Sequence, residues 1–391
     1  MKAAVFYGID QPVAVEEVQI KDPGPGEVRV ALKAAGLCHS DLSVIDGTIP
    51  YPTPVVLGHE GAGVIDAVGA GVTSVREGDT VIVSTLSHCG RCPACEVGKP
   101  TQCKNAPSPK DSRPFTVGGA PAFQFANASV FAERTVVREQ GAIPIDARVP
   151  FDRACLIGCG IMTGFGAVIN RARVETGASM AVFGVGGIGL NCVQGGVLAG
   201  AAKIIAVDVM PQKLEWARRF GATHTIDSSQ QDPVAAIKDL TGGGADYTFE
   251  AVGNLAVIKQ ALEALGPGGA LTIVGVPKMG SSLDFVVHAL YQNKAILGCR
   301  YGTARPRVDF PMLADLYLGG RLKIDELITR HYRLDEFATA LNDLRQGNLA
   351  RGVFNLQSPL PRGTVDECGP SLDTAAEKMR PTRDERKKPG R

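Results

Sequence analysis

The stretch "SMAVFGVGGIGLNCVQGGVLAGAAKIIAVDV", residues 179–209, decides the fold. An apolar run breaks at a glycine turn, passes into a helical pattern, and ends in a second apolar run, "KIIAVD", that closes on Asp208. The order strand, glycine turn, helix, strand is one unit of a parallel sheet. "GVGGIG", Gly184 to Gly189, fits G-x-G-x-x-G. In a chain with 47 glycines the pattern alone says little. Its place between strand and helix, with an acid nineteen residues past Gly189, makes it a dinucleotide fingerprint. Gly184 permits the tight turn, Gly186 lets the backbone approach a pyrophosphate, and Gly189 allows close helix–strand packing. The helix N-terminus at Gly187 and Ile188 offers free N–H groups to phosphate. Asp208 is placed to accept hydrogen bonds from the adenosine ribose and to repel a 2′-phosphate, which favours NAD over NADP. The bland alternative is a glycine turn in an empty α/β domain.

Outward from this unit, "ADYTFEAVG" (245–253) and "GALTIVGVP" (269–277) continue the buried strands. The N-terminal part has a different texture, rich in Gly and Pro with short alternating runs. "EVRVALKAAG" (27–36), "AGVIDAVGAGV" (62–72) and "GDTVIVST" (78–85) read as strands bounded by turns. Residues 300–355 revert to mixed segments and are expected to rejoin the first domain. Two domains suit 391 residues, and 45% hydrophobic against 21% charged residues implies a packed core. Lys plus Arg is 41 and Asp plus Glu is 40, so no bulk charge draws the chain to nucleic acid or an anionic membrane. The start, "MKAAVFYGIDQPVAVEEV", lacks a long apolar run, and no stretch of about twenty consecutive apolar residues occurs. A soluble cytoplasmic protein is expected. Residues 356–391, mostly "SPLPRGTVDECGPSLDTAAEKMRPTRDERKKPGR", have little to bury and are expected to be a solvated, disordered tail. The other reading is a basic interaction arm.

Four segments carry candidate chemistry. "HCGRCPACEVGKPTQC" (88–103) clusters four of the ten cysteines, which reads as a redox relay, a nucleic-acid finger or a structural staple. "GLCHSDLSV" (36–44) offers Cys38, "GHEGAG" (58–63) offers His59 with Glu60 beside it, and "LIGCGIMTGFGA" (156–167) offers Cys159. Two thiolates and an imidazole with one open position would make a catalytic zinc. Each taken alone is as compatible with a packed core residue. Cys155 and Cys192 fall on apolar stretches and read as packing.

Together these motifs resemble the zinc-dependent alcohol dehydrogenases of the medium-chain dehydrogenase/reductase superfamily over roughly residues 1–355, with the aryl- and benzyl-alcohol branch favoured. The resemblance implies an α/β architecture: a GroES-like, mostly β catalytic domain (1–160 and 300–355) plus a Rossmann doubly wound parallel sheet (161–299). The active site would lie in the cleft between them. It implies two zinc ions per chain and NAD. Cys89, Cys92, Cys95 and Cys103 would close a structural zinc lobe (88–104), leaving no open position. Cys38, His59 and Cys159 would hold the catalytic zinc, with Glu60 able to enter its coordination sphere and Asp41 orienting the histidine. Zinc would lower the pKa of a small-molecule alcohol. Ser40 would then take its proton towards the nicotinamide ribose as hydride passes to the nicotinamide. Thr163 would pack on the nicotinamide, Lys213 would lie near the adenosine ribose, and His39 and Arg351 would contact the pyrophosphate. A homodimer or homotetramer is implied.

The sequence departs from many members at Ser43, where they place a histidine as the outlet of the proton relay; a serine is no base near neutral pH. Ile49, Thr85, Phe125 and Ala126 fall at pocket positions. The threonine and alanine leave room for a medium-size or aromatic primary alcohol. The rival within the fold is a thiol-dependent formaldehyde dehydrogenase acting on an S-hydroxymethyl adduct. Pro107 stands where that branch has an arginine for the adduct's carboxylate. A rival of another class is a non-catalytic zinc- and nucleotide-binding protein.

Overall fold

The computed structural model describes residues 1–108 and 110–356. The expected tail lies outside the described residues apart from Leu356. Two mostly antiparallel sheets, of six and seven strands, and one parallel sheet of six strands carry the fold. Counted along the chain, the parallel strands are Ser179–Phe183, Lys203–Asp208, His224–Asp227, Ala245–Glu250, Leu265–Ile273 and Ala295–Gly298. Their spatial order is 3-2-1-4-5-6, that of a Rossmann sheet. The order reverses between the first and fourth strands, so the crevice opens beyond Phe183 and Glu250.

The seven-stranded sheet is built around Glu27–Leu37, whose residues alternate between half-buried and buried before becoming wholly buried at the C-terminal end. One neighbour is Glu60–Val68, with Gly36 opposite Glu60; another is Arg351–Asn355, with Gly352 opposite Leu37. Three distant pieces of sequence thus meet where the central strand ends at Cys38. The strand expected over 62–72 is shifted: it begins at Glu60 and stops at Val68. At Gly69 the backbone closes onto Gly24, where a Cβ would stand 1.9 Å from the Gly24 carbonyl oxygen.

Residues Phe151–Ala172 form one 22-residue helical run, by length and composition long and apolar enough to cross a membrane. Its apolar character serves the core instead, since 83% of its most apolar 18-residue stretch is buried within the fold. Two wider π-type turns, Ile157–Ile161 and Ala167–Ala172, interrupt the α-helical pitch. Cys155 lies fully buried on this run and Cys192 on the helix Gly187–Ala199, both among apolar neighbours.

Candidate active site and metal centres

Cys38 ends the central strand and caps the short helix His39–Ile45. Asp41 in the first turn reaches back, accepting the Cys38 N–H on Oδ2 at 3.1 Å. Its Oδ1 takes the Gly58 N–H and faces His59 Nδ1, each at 3.2 Å. Fully buried Asp41 is therefore satisfied by three neighbours. With Nδ1 turned to Asp41, Nε2 of His59 keeps its lone pair, and that atom is buried without a hydrogen-bond partner. Both carboxylate oxygens of Glu60 are likewise buried and lack one, the nearest charge being Arg351 Nη1 at 3.4 Å. One ligand atom from each of Cys38, His59, Glu60 and Cys159 lies within 4.8 Å of the others. Polar atoms orphaned in a core cost free energy unless something binds them. Two thiolates, an imidazole and a carboxylate converging on one point are a zinc donor set.

These buried groups perturb one another strongly. Cys159, sharing a proton with Cys38, draws the Cys38 thiol well below its usual range despite burial, helped by His59 and Arg351. The same sharing, with burial, lifts Cys159. Burial works against a charged His59, but Asp41 and Cys38 outweigh it and raise the imidazole. Burial pushes Glu60 up to about 7, with Arg351 pulling the other way.

The second cluster is at the surface. Cys92 Sγ lies 3.5 Å from Cys95 Sγ and 3.8 Å from Cys103 Sγ, and Cys103 lies 3.6 Å from Cys89. Four sulfurs about 2.3 Å from a central zinc would stand about 3.8 Å apart. These three separations match the edges of such a tetrahedron, all four sulfurs lie within 4.8 Å of one another, and all four are unbridged.

One cavity joins the metal side to the nucleotide fingerprint. Cys38, Ser40, Ser43 and Ile49 wall one side; Gly184, Gly186, Gly187, Ile188 and Asp208 wall the other. His39, Lys213 and Arg351 also line it. Gly184 has φ +84°, a left-handed backbone that a side chain would strain. A Cβ at Gly186 would meet nothing within 4 Å, which leaves open backbone for a phosphate. A Cβ at Gly189 would stand 1.9 Å from the Gly184 carbonyl oxygen, so this glycine lies under the helix and not in the cavity. Asp208 ties down the turn, accepting N–H groups from Val185 and Met210, each at 3.0 Å.

Of the expected pocket residues, Phe125 stands edge-on to the His59 ring at 5.4 Å, with Tyr51 edge-on behind it at 5.2 Å. Ala126 follows in a left-handed conformation, φ +52°, and Asn127 Nδ2 reaches the Thr85 carbonyl at 3.4 Å. Thr163 is buried on the long helix, and neither it nor Thr85, Phe125 or Ala126 lines the nucleotide cavity itself. Sequence reasoning missed Val252, Val274 and Val276, which line the far wall at the mouths of the fourth and fifth parallel strands. Their signal was present in the apolar strand ends at the topological switch point.

Comparisons with known proteins agree with this geometry. Residues 24–147 match the family model of the alcohol dehydrogenase GroES-like domain, and residues 187–318 that of the zinc-binding dehydrogenases. The chain is 40% identical to an alcohol dehydrogenase class-3 of Cereibacter sphaeroides, covering 90% of this chain and 98% of that protein. It is 36% identical to a probable S-(hydroxymethyl)glutathione dehydrogenase of Schizosaccharomyces pombe, covering 92% and 97%. Among solved structures, benzyl alcohol dehydrogenase from Acinetobacter calcoaceticus superposes with a TM-score of 0.86 at 35% identity, over 91% of this chain and 99% of that one. An alcohol dehydrogenase zinc-binding domain protein from Burkholderia ambifaria gives 0.87 at 38%, over 91% and 98%. Fold, donor sets and relatives converge: the chain belongs to the zinc-dependent alcohol dehydrogenases of the medium-chain dehydrogenase/reductase superfamily.

Proposed function

We propose that this enzyme reversibly oxidises a medium-size or aromatic primary alcohol to its aldehyde with NAD. The reading rests on one observation: a single cavity runs from Cys38 and Ser40 to the phosphate turn Gly184–Ile188. Cys38, His59 and Cys159 are the proposed holders of the catalytic metal, with Glu60 behind them, and Cys89, Cys92, Cys95 and Cys103 those of the structural one. Zinc held there would supply a Lewis acid for the alcohol oxygen, and NAD in the cavity a hydride acceptor. Asp41 fixes the imidazole so that Nε2 faces the metal position. Ser40, whose Oγ is 3.8 Å from Cys38 Sγ, is the side chain placed to take the alcohol proton. Lys213 and Arg351 bring positive charge to the cavity and His39 a ring, where pyrophosphate and ribose would lie. Asp208 keeps lone pairs beyond its two backbone bonds, and its charge disfavours a 2′-phosphate. Thr163 is proposed to pack on the nicotinamide. Phe125 gives the substrate an apolar wall beside His59, with Ile49, Thr85 and Ala126 completing the pocket.

Aromatic substrates are favoured by the edge-on pair Tyr51 and Phe125 next to the metal position and by the benzyl alcohol dehydrogenase superposition. A second reading has its own support: several relatives are named S-(hydroxymethyl)glutathione dehydrogenases, which makes formaldehyde bound to a thiol a candidate substrate. NADH formation at 340 nm, with zinc-replete protein, NAD and a panel of ethanol, hexanol, benzyl alcohol and formaldehyde with and without glutathione, separates the two. Benzyl alcohol or hexanol ahead of ethanol is the expected result. Activity only with formaldehyde plus thiol would replace the first reading by the second. Assembly of copies is supported by exposed Met279, Val286, Val287 and Tyr291 ahead of the edge strand Ala295–Gly298.

A further inference from the structure

Tyr301 begins a turn that the backbone adopts at a penalty. Tyr301, Gly302 and Thr303 have φ of +54°, +62° and +52°, three successive left-handed residues, two of them not glycine. Such conformations persist only where the surroundings hold them. Here the surroundings are the helix that carries Cys159. A Cβ at Gly302 would stand 2.2 Å from the Met162 carbonyl oxygen, and one at Gly166 would stand 2.2 Å from the Gly302 carbonyl oxygen. The turn is thus pressed backbone to backbone against that helix one turn beyond Cys159.

The press delivers one atom to one place. The Tyr301 hydroxyl donates to the carbonyl of Gly158, the residue before Cys159, inside the π-type turn Ile157–Ile161. A π-type turn upsets the regular backbone pairing, so carbonyls within it need partners from elsewhere. The Tyr301 oxygen in turn lies 3.4 Å from Ser84 Oγ, and Ser84 Oγ accepts the Leu86 N–H at 3.1 Å. With both donors so committed, the proton directions are fixed: Leu86 N–H to Ser84, Ser84 O–H to Tyr301, Tyr301 O–H to Gly158. Thr85 lies between Ser84 and Leu86, so it sits on the segment that this chain of bonds holds. Burial raises the phenol above its usual range.

We propose that Tyr301 is a positioning residue that fixes Cys159 and the pocket residue Thr85 in one frame. It does so by bonding the backbone beside the metal thiolate at one end and the Ser84–Leu86 segment at the other. The inference rests on the reading of Cys159 as a metal ligand. Tyr301→Phe keeps the ring, which packs edge-on to Phe310 at 6.5 Å, and removes only the bridging oxygen.

The test is zinc transfer from native protein to a colorimetric chelator, followed beside residual turnover so that the phase tracking activity loss identifies the catalytic ion. Supporting residues of this kind change metal affinity or activity about 10-fold to 100-fold. Tyr301→Phe is therefore expected to speed that phase by about 10-fold or more, and to raise KM for the alcohol while KM for NAD stays put. A purely structural tyrosine would lower the melting temperature and leave both readouts alone; that result, with two zinc ions per chain, overturns the inference. If Tyr301→Phe is not recovered folded, Ser84→Ala carries the same test: faster release of the same phase supports the relay and an unchanged rate overturns it. A parent protein in which no phase of zinc release tracks the loss of activity would instead remove the Cys159 reading itself.

Discussion

A methyl group added at Gly189 and one added at Gly186 separate packing from cofactor binding at the phosphate turn. At Gly189 the new carbon would stand 1.9 Å from the Gly184 carbonyl oxygen, where ordinary contact begins at 3.4 Å, so turn and helix must part by the difference, about 1.5 Å. The helix Gly187–Ala199 has little room to yield. Along one flank Gly164 packs so closely that a Cβ on it would stand 2.3 Å from the Ile188 carbonyl oxygen, and on the same face as Gly189 a Cβ at Gly196 would stand 2.3 Å from Met180 Sδ, so the helix is seated tightly along its length. Overpacking of this kind costs about 1–3 kcal/mol, and the blocked retreat puts Gly189→Ala near the upper end. The melting temperature should fall by roughly 3–4 °C. Moving the helix N-terminus by more than 1 Å also misplaces its N–H groups, for which a loss of NAD affinity on the order of 100-fold is expected. At Gly186 the methyl would meet nothing within 4 Å, and φ −75° suits alanine. Gly186→Ala should therefore leave stability within about 0.5 kcal/mol, or raise it slightly through the unfolded chain. The open space it fills is that proposed for the pyrophosphate, so NAD affinity should still fall by about 10-fold or more. Calorimetry of zinc-replete protein without nucleotide, paired with a fluorescence titration of NADH, reads both quantities. Parent-like NADH binding by Gly186→Ala, or parent-like melting of Gly189→Ala, would refute the reasoning.

Two further changes address the metal and proton sites. Cys95→Ser should lower the zinc content from two ions per chain to one and expose residues 88–104 to limited proteolysis, because the four thiols converge from across the lobe's short turns; retention of two ions would count against the structural assignment. Ser43 is half-buried on the same helix as Ser40 and lines the same cavity, one turn further on. Ser43→His places a base there, and the pH–rate profile should gain an ascending limb near the ordinary imidazole range, about pH 6.5; an unchanged profile would remove the idea that serine shortens the proton relay.

How far the sequence reached depended on the range of the forces involved. The Rossmann unit was legible because strand, glycine turn and acid lie within about thirty residues, and each glycine answers a local demand such as the positive φ of Gly184. The metal quartet was legible only through family resemblance. No local rule states that Gly36 pairs with Glu60, yet that register sets His59 beside Cys38. The end of the strand at Val68 depends on Gly69 meeting Gly24, a contact between separate turns that a window of alternating residues does not contain. Tyr301 gave no signal at all. Its left-handed backbone is held by Met162 and Gly166, and its hydroxyl partners lie 143 and 217 residues away in sequence.

Arg351 shows why the chain returns to its first sheet after the nucleotide-binding strands. The guanidinium occupies space that side chains would otherwise take at two glycines: a Cβ at Gly160 would stand 1.8 Å from Nη2, and one at Gly187 2.5 Å from Nε. Gly160 belongs to the turn of Cys159, and Gly187 opens the helix that faces the phosphates. Nη1 faces Glu60 at 3.4 Å and the Leu37 carbonyl at 3.3 Å, while Nη2 has no hydrogen-bond partner. At an effective dielectric of about 20, the attraction to Glu60 is on the order of 5 kcal/mol before desolvation. Burying both charges offsets most of that, so net stability is a poor reason for the pair. Position is a better one. A cation on the returning strand is fitted between two glycines, its Nη2 against the turn of Cys159 and its Nε against the turn that opens the nucleotide helix. Arg351 lines the nucleotide cavity and also faces Glu60, so an anion bound at the phosphate turn would share this charge with Glu60.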